Sequence, residues 1–161
     1  MSDCVIDDGI AGFQRFYGTN WVYQNIGYDG DSWTVPASND VENSAHYAIW
    51  VPDLTDSSEY NIDVYTPNIS DLTSAARYEI IVKDTSGMNT KTMVVYNQNN
   101  NPDNFNTIAT MNLPAGSNCA VILRDVVDSS STGSYVVFDA LRFVNTASVN
   151  ITNEQSQQVF P

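Results

Sequence analysis

The chain has 161 residues, with 19 acidic against 6 basic side chains and a formal net charge of −13. A protein this negative lacks the basic footprint that nucleic-acid phosphates require, and it is poorly suited to an anionic membrane surface. Its polarity comes mostly from 18 Asn, 16 Ser and 13 Thr, and 17 Val plus 11 Ile against 5 Leu argue for an all-β domain over a helical bundle.

The apolar pattern is one of short strands with polar punctuation. Cys4-Val5-Ile6 opens it and runs into an Asp7-Asp8-Gly9 turn. Trp21-Val22-Tyr23 follows, then a long loop through Tyr28-Asp29-Gly30-Asp31-Ser32-Trp33. Residues 44–52 alternate, with Ala45, Tyr47, Ile49 and Val51 on one face and His46, Ala48 and Trp50 on the other. In a sandwich Trp50 could fill either the core or the outer surface. Tyr60, Ile62 and Val64 alternate with Asn61, Asp63 and Tyr65. Further strands are predicted over 77–83, 91–96, 105–113, 118–124 and 135–144, separated by Asp-, Asn-, Pro- and Gly-rich turns. Helical periodicity is lacking throughout. The pattern predicts a two-sheet jelly-roll sandwich of about eight or nine strands. One domain over 1–144 is expected, followed by a polar, Gln-containing tail over 145–161. The tail either dangles or pairs as a strand with its own domain or with a neighbouring copy.

No run of 18 apolar residues suggests a membrane span. The opening Met1-Ser2-Asp3-Cys4 has neither the basic nor the apolar region of a secretory signal. Cys4 and Cys119 are either two free thiols or a bridge closing a long loop; spacing does not decide between them. Asn68-Ile69-Ser70 and Asn150-Ile151-Thr152 fit the glycosylation acceptor pattern, as chance alone would supply in so Asn-rich a chain.

No catalytic residues are expected. The single histidine, His46, lies mid-strand, and no nucleophile elbow, zinc-protease motif or phosphate-cradling glycine loop occurs. Fifteen Asp and four Glu always allow some carboxylate pair, which carries little weight. A metal is the stronger expectation. Asp139 falls on a predicted core-facing stripe with Val137, Leu141 and Phe143, where an unpaired charge is prohibitive. It must bond backbone amides or an arginine (Arg15, Arg77 and Arg124 being available), or join Asp7 or Asp8 around a calcium ion. Asp29-Gly30-Asp31 resembles a fragment of a calcium loop but fails the EF-hand spacing, and ordinary turn chemistry explains it equally well. Tyr28 and Trp33, in the long loop, and the adjacent Trp21 are the candidates for stacking on sugar rings.

Several segments together resemble the golvesin-type domain, a module also found beside xanthan lyase catalytic domains. They are Val5-Ile6-Asp7-Asp8-Gly9 with Gly12-Phe13, Trp21 and Gly27-Tyr28-Asp29-Gly30, then Ala48–Pro52, Tyr60–Tyr65 and Arg77-Tyr78. Asn97-Gln98-Asn99, Leu113–Gly116 and the most specific piece, Val136–Val144, complete the series. The resemblance implies a galactose-binding-like jelly roll acting as an accessory module on a polysaccharide, secreted or at the cell surface, and no catalysis. An Asn-rich insertion at 99–101 and the tail depart from it. The competing expectation is a structural subunit of an extracellular filament, sheath or virion that assembles through its termini.

Overall fold

The computed structural model describes residues 3–16, 19–42 and 44–147. Among these described residues, twelve strands form three antiparallel sheets. The first has five strands in the order β2 (Phe13–Phe16), β5 (Tyr47–Trp50), β10 (Cys119–Val127), β7 (Ala76–Lys83) and β8 (Asn89–Tyr96). The second orders β1 (Cys4–Ile6), β12 (Leu141–Asn145), β6 (Ser58–Thr66) and β9 (Asn104–Leu113). The third orders β11 (Tyr135–Phe138), β4 (Ser32–Pro36) and β3 (Val22–Gln24). The second and third sheets are linked through the β11–β12 corner, and their inner faces close on the five-stranded sheet.

Alternation explains what lies between the layers. Ala48, Trp50, Tyr78, Ile80, Val121 and Leu123 of the five-stranded sheet belong to one core cluster with Ile62, Val64, Phe138, Leu141 and Phe143 of the facing layer. Trp50 is completely buried, which settles its face, and its indole N–H donates to the Asp139 carbonyl at 3.0 Å. His46 shares that face and is buried, with Nδ1 3.2 Å from Asp125 Oδ2. Cys4 and Cys119 are free thiols, each raised in pKa by burial, Cys119 to about 12.

The structure departs from the expected strand map in three places. Phe13–Phe16 is a strand, paired to β5, although its four residues carry no alternation signal. Ser32–Pro36, whose first two residues fall in the expected long loop, is the central strand of the third sheet. Its hydroxyl residues looked like turn chemistry but are buried and bonded: Ser32 Oγ donates to the Ile26 carbonyl (2.6 Å), and Thr34 Oγ1 accepts from Gln24 (2.8 Å). The long 135–144 strand is in fact two, β11 and β12, divided at Asp139-Ala140. The core residues change phase there, from Val136 and Phe138 to Leu141 and Phe143, because the chain crosses from one sheet to another. Asp139 therefore sits at a corner, not on a continuous stripe, and is still 97% buried by its neighbours (3% exposed).

Thr146 and Ala147 are bonded back to Glu59 and Asn145. The remainder of the expected tail, and with it any strand pairing or self-assembly, lies outside the described residues. No helix among the described residues is long and apolar enough to cross a membrane.

Candidate functional site

Two places concentrate polar chemistry. The first is an acidic corner built by the end of β1, the turn at Tyr28–Gly30 and the β11–β12 corner. Asp7, Asp8 and Asp31 each bring a carboxylate oxygen within 4.8 Å of the other two. Asp7 Oδ1 accepts the Asp8 amide (2.9 Å), and the Asp7 and Asp139 carboxyl groups lie close enough to influence each other's ionisation. Asp139 accepts the amides of Tyr28 (3.0 Å to Oδ2) and Ala140 (2.8 Å to Oδ1), and among the described residues it is bonded by these backbone amides and by no arginine. Asp8 is buried, and its Oδ2 finds no hydrogen-bond partner among the described residues.

Like charges packed together out of water disfavour ionisation. Burial first, then Asp7 and Asp8, push Asp139 up to about 8; burial first, then Asp31 and Asp7, push Asp8 up to about 7; Asp7 is raised too, mainly by burial. Gly27 allows the approach of the pieces. A Cβ there would collide with the Asp31 backbone carbonyl and stand 2.7 Å from Asp139 Oδ2. The donor set is all carboxylate oxygen, which suits a hard cation such as calcium, and an orphaned buried oxygen is what such an ion would satisfy. Of the expected ligands, Asp7 and Asp8 meet at this corner and Asp139 lies directly behind them; Asp31 is the member that the failed EF-hand spacing obscured.

The expected sugar-stacking residues separate into two groups. Trp21 and Trp33 come together under Arg15, whose Cζ lies 3.4 Å from the Trp33 ring centroid and 5.3 Å from that of Trp21. Trp33 is on β4 and meets Tyr23 edge-on, while Trp21 packs its ring against Phe138 and His46. Tyr28 goes elsewhere, packing against Tyr65 and Phe105 at 5.6 and 5.2 Å between centroids. All three rings thus have protein neighbours.

The second place is a cleft of about 350 Å³ on the outer face of the five-stranded sheet, lined by Val41, Ser44, Arg77, Glu79, Lys91, Met93, Arg124 and Val126. Register puts these side chains together, since residues paired across strands share a face. Glu79 stands opposite Ile122 of β10 and Met93 of β8, and Phe16, Tyr47 and Arg124 form a row across β2, β5 and β10. The Phe16 and Tyr47 rings stack 4.7 Å apart, 9° from parallel, and Arg124 lies 5.0 Å over Tyr47. That stack fixes the guanidinium beside Glu79, which it meets at 3.5 Å while Lys91 reaches the other carboxylate oxygen at 3.2 Å. One wall is held from the opposite side of β10. Asp125 accepts the Ser44 hydroxyl (2.5 Å) and the Ala45 and His46 amides (both 3.2 Å), which anchors the segment leading into β5. The sequence reading missed this cleft: alternation puts Arg77 with Glu79, but only the strand order brings Arg124 and Lys91 beside them.

The fold has known counterparts. The family model described as the Golvesin C-terminal domain matches residues 5–145. The chain belongs to this family. No curated protein matches the sequence. Among solved structures, the golvesin-type sandwich resembles part of a Paenibacillus xanthan lyase, with 20% identity and a TM-score of 0.69, covering 89% of this chain and 13% of the lyase. It also resembles the CBM22-1–GH10 modules of a Clostridium thermocellum endo-1,4-β-D-xylanase 10B, a structure complexed with xylohexaose, at 14% identity and TM-score 0.52, covering 91% of this chain and 29% of that one. A third is the exo-β-1,3-galactanase of Phanerochaete chrysosporium with galactose, at 10% identity and TM-score 0.51, covering 89% and 29%. The chain therefore spans less than a third of each of these proteins, and the likeness establishes the β-sandwich fold.

Proposed function

We propose that this domain is a non-catalytic carbohydrate-binding module that holds an extracellular polysaccharide in the cleft on its five-stranded sheet. The observation that carries the reading is the lining of that cleft. Arg124, Arg77, Lys91, Glu79 and Ser44 supply donors and acceptors for hydroxyl groups, and Val41, Met93 and Val126 supply apolar contact for sugar C–H faces. The π-stack on Arg124 keeps one of those donors in place before a ligand arrives, which reduces the entropy lost on binding. Two of the similar structures were solved with a saccharide, which supports the reading at the level of fold.

A structural calcium belongs to the same proposal. Asp7, Asp8 and Asp31 would hold it, with Asp139 behind them bracing the Tyr28 turn through its amide. The ion would offset the repulsion among the buried carboxylates and fix the β1 end to the β3–β4 connection.

The carbohydrate reading is tested on an array of plant and microbial polysaccharides. At least one polymer is expected to retain the wild-type chain, and Arg124→Met is expected to lose at least tenfold in affinity while melting normally. Retention on no polymer, or retention unaffected by both Arg124→Met and Glu79→Gln, would overturn it.

A further inference from the structure

The cleft has a charge that the rest of the molecule does not share. The chain carries 19 acidic residues and only 6 basic ones, and three of those six, Arg77, Lys91 and Arg124, line this one cleft. Glu79 is the single carboxylate among the lining residues, and it is already shared between Lys91 and Arg124. Arg77 is in no ion pair among the described residues; Asp128, which feels its charge, lies in the turn that follows β10 and accepts from Ser130. The other three cations are placed differently. Arg15 covers Trp33, Arg142 pairs with Asp63 at 2.7 Å, and Lys83 ends β7 at a separate depression that it lines together with Asp84.

Resting on the carbohydrate reading, we propose that the ligand of this cleft is an acidic polysaccharide, one whose repeating units carry carboxylate groups, such as a uronate polymer. A neutral sugar needs hydroxyl partners, and the Asn, Ser and Thr that fill this sequence would supply them without charge. Guanidinium groups are instead the side chains whose planar forks match a carboxylate with two parallel hydrogen bonds. Arg77 and Arg124 provide two such forks on neighbouring strands, and the more exposed Lys91 adds a point charge on the far strand. The acidic remainder of the surface repels a polyanion, so a bound acidic chain is confined to this strip of the sheet.

The test uses the full chain and isothermal titration with polygalacturonate oligomers, their methyl-esterified form, and a poly-glutamate peptide of equal charge. Methyl esterification keeps the sugar and removes the charge. The expected result is binding to the uronate oligomers, at least tenfold weaker for the esterified form and for the peptide, and weakening several-fold between about 50 and 300 mM salt, as surface charge screening predicts. Arg77→Gln and Lys91→Gln are expected each to lose several-fold or more in affinity with unchanged far-ultraviolet dichroism and melting temperature. Equal binding of both polymer forms, with Arg77→Gln unaffected, would overturn the acidic assignment and leave the carbohydrate reading standing. Equal binding of the peptide would overturn the saccharide as occupant. Retention on no polysaccharide of any charge would remove both.

Discussion

Gln98→Leu is expected to lower the stability of the domain by about 3 kcal/mol or more, because it leaves three buried polar groups without partners at about 1–3 kcal/mol each. Gln98 is fully buried although it sits near the start of the Asn-rich β8–β9 connection. Its Nε2 donates to the Tyr78 hydroxyl and the Val137 carbonyl, both at 2.9 Å, and its Oε1 accepts the Val137 amide at 2.9 Å. One side chain therefore acts as a strand partner for β11 and joins it to β7 across the core. Leucine has a similar volume, so the substitution removes the polar contacts without opening a large cavity. For a domain of this size the loss corresponds to roughly 6–12 °C in melting temperature. Asn104→Ala, at the exposed first residue of β9 where the same connection ends, is expected to cost less than about 0.5 kcal/mol. Urea unfolding of both variants checks the contrast, and a Gln98→Leu cost below about 1 kcal/mol would contradict this role.

The acidic corner has the second large effect. Asp139 and Asp8 have folded-state pKa values of about 8 and about 7, raised from an unfolded value near 4. Between those limits the folded state holds more protons than the unfolded chain, so stability decreases as pH rises. The penalty is absent below about pH 4 and is complete above about pH 8. Ion-free protein is therefore expected to melt several degrees higher at pH 5 than at pH 8. Calcium should reverse that trend, because it requires the deprotonated carboxylates. At a hundredfold excess over its dissociation constant an ion stabilises by about 2.7 kcal/mol, or roughly 5–11 °C for this size of domain. Asp8→Asn, which removes the charge whose Oδ2 lacks a partner, should raise the ion-free melting temperature at pH 8 and abolish the calcium response. Calorimetry with and without calcium at the two pH values reads all of these. A flat pH dependence and no shift with millimolar calcium would contradict the proposed ion.

Sequence periodicity and composition were enough for the sandwich, since the strands with clear alternation, β5, β6, β7, β9 and β10, form where predicted. Legibility ended where a residue's role depends on a partner distant in sequence. Ser32 and Thr34 look like turn residues until Ile26 and Gln24 are placed beside them. Gln98 differs from its Asn neighbours by one methylene, and nothing local reveals that its longer reach ends on Val137. Asp7, Asp8 and Asp139 were readable as awkward charges, but Asp31 joins them only because the Tyr28–Gly30 turn folds back onto the end of β1. The long 135–144 strand misled for a similar reason: a mostly apolar run, interrupted only by Asp139 and Arg142, conceals a one-residue change of phase when the chain moves between sheets. The cleft needed the most distant information of all, the placement of β10 between β5 and β7.

The central claim is that saccharide occupies the outer face of the five-stranded sheet, and amide chemical-shift mapping on the isotope-labelled chain tests it most directly. On titration with an oligosaccharide cut from the best-retained polymer, the largest shifts are predicted at Arg77, Glu79, Lys91, Met93 and Arg124, with the Trp21 and Trp33 indole signals and the Tyr28 amide unmoved. Shifts confined to Trp21, Trp33 and Tyr28, with the cleft residues silent, would contradict it.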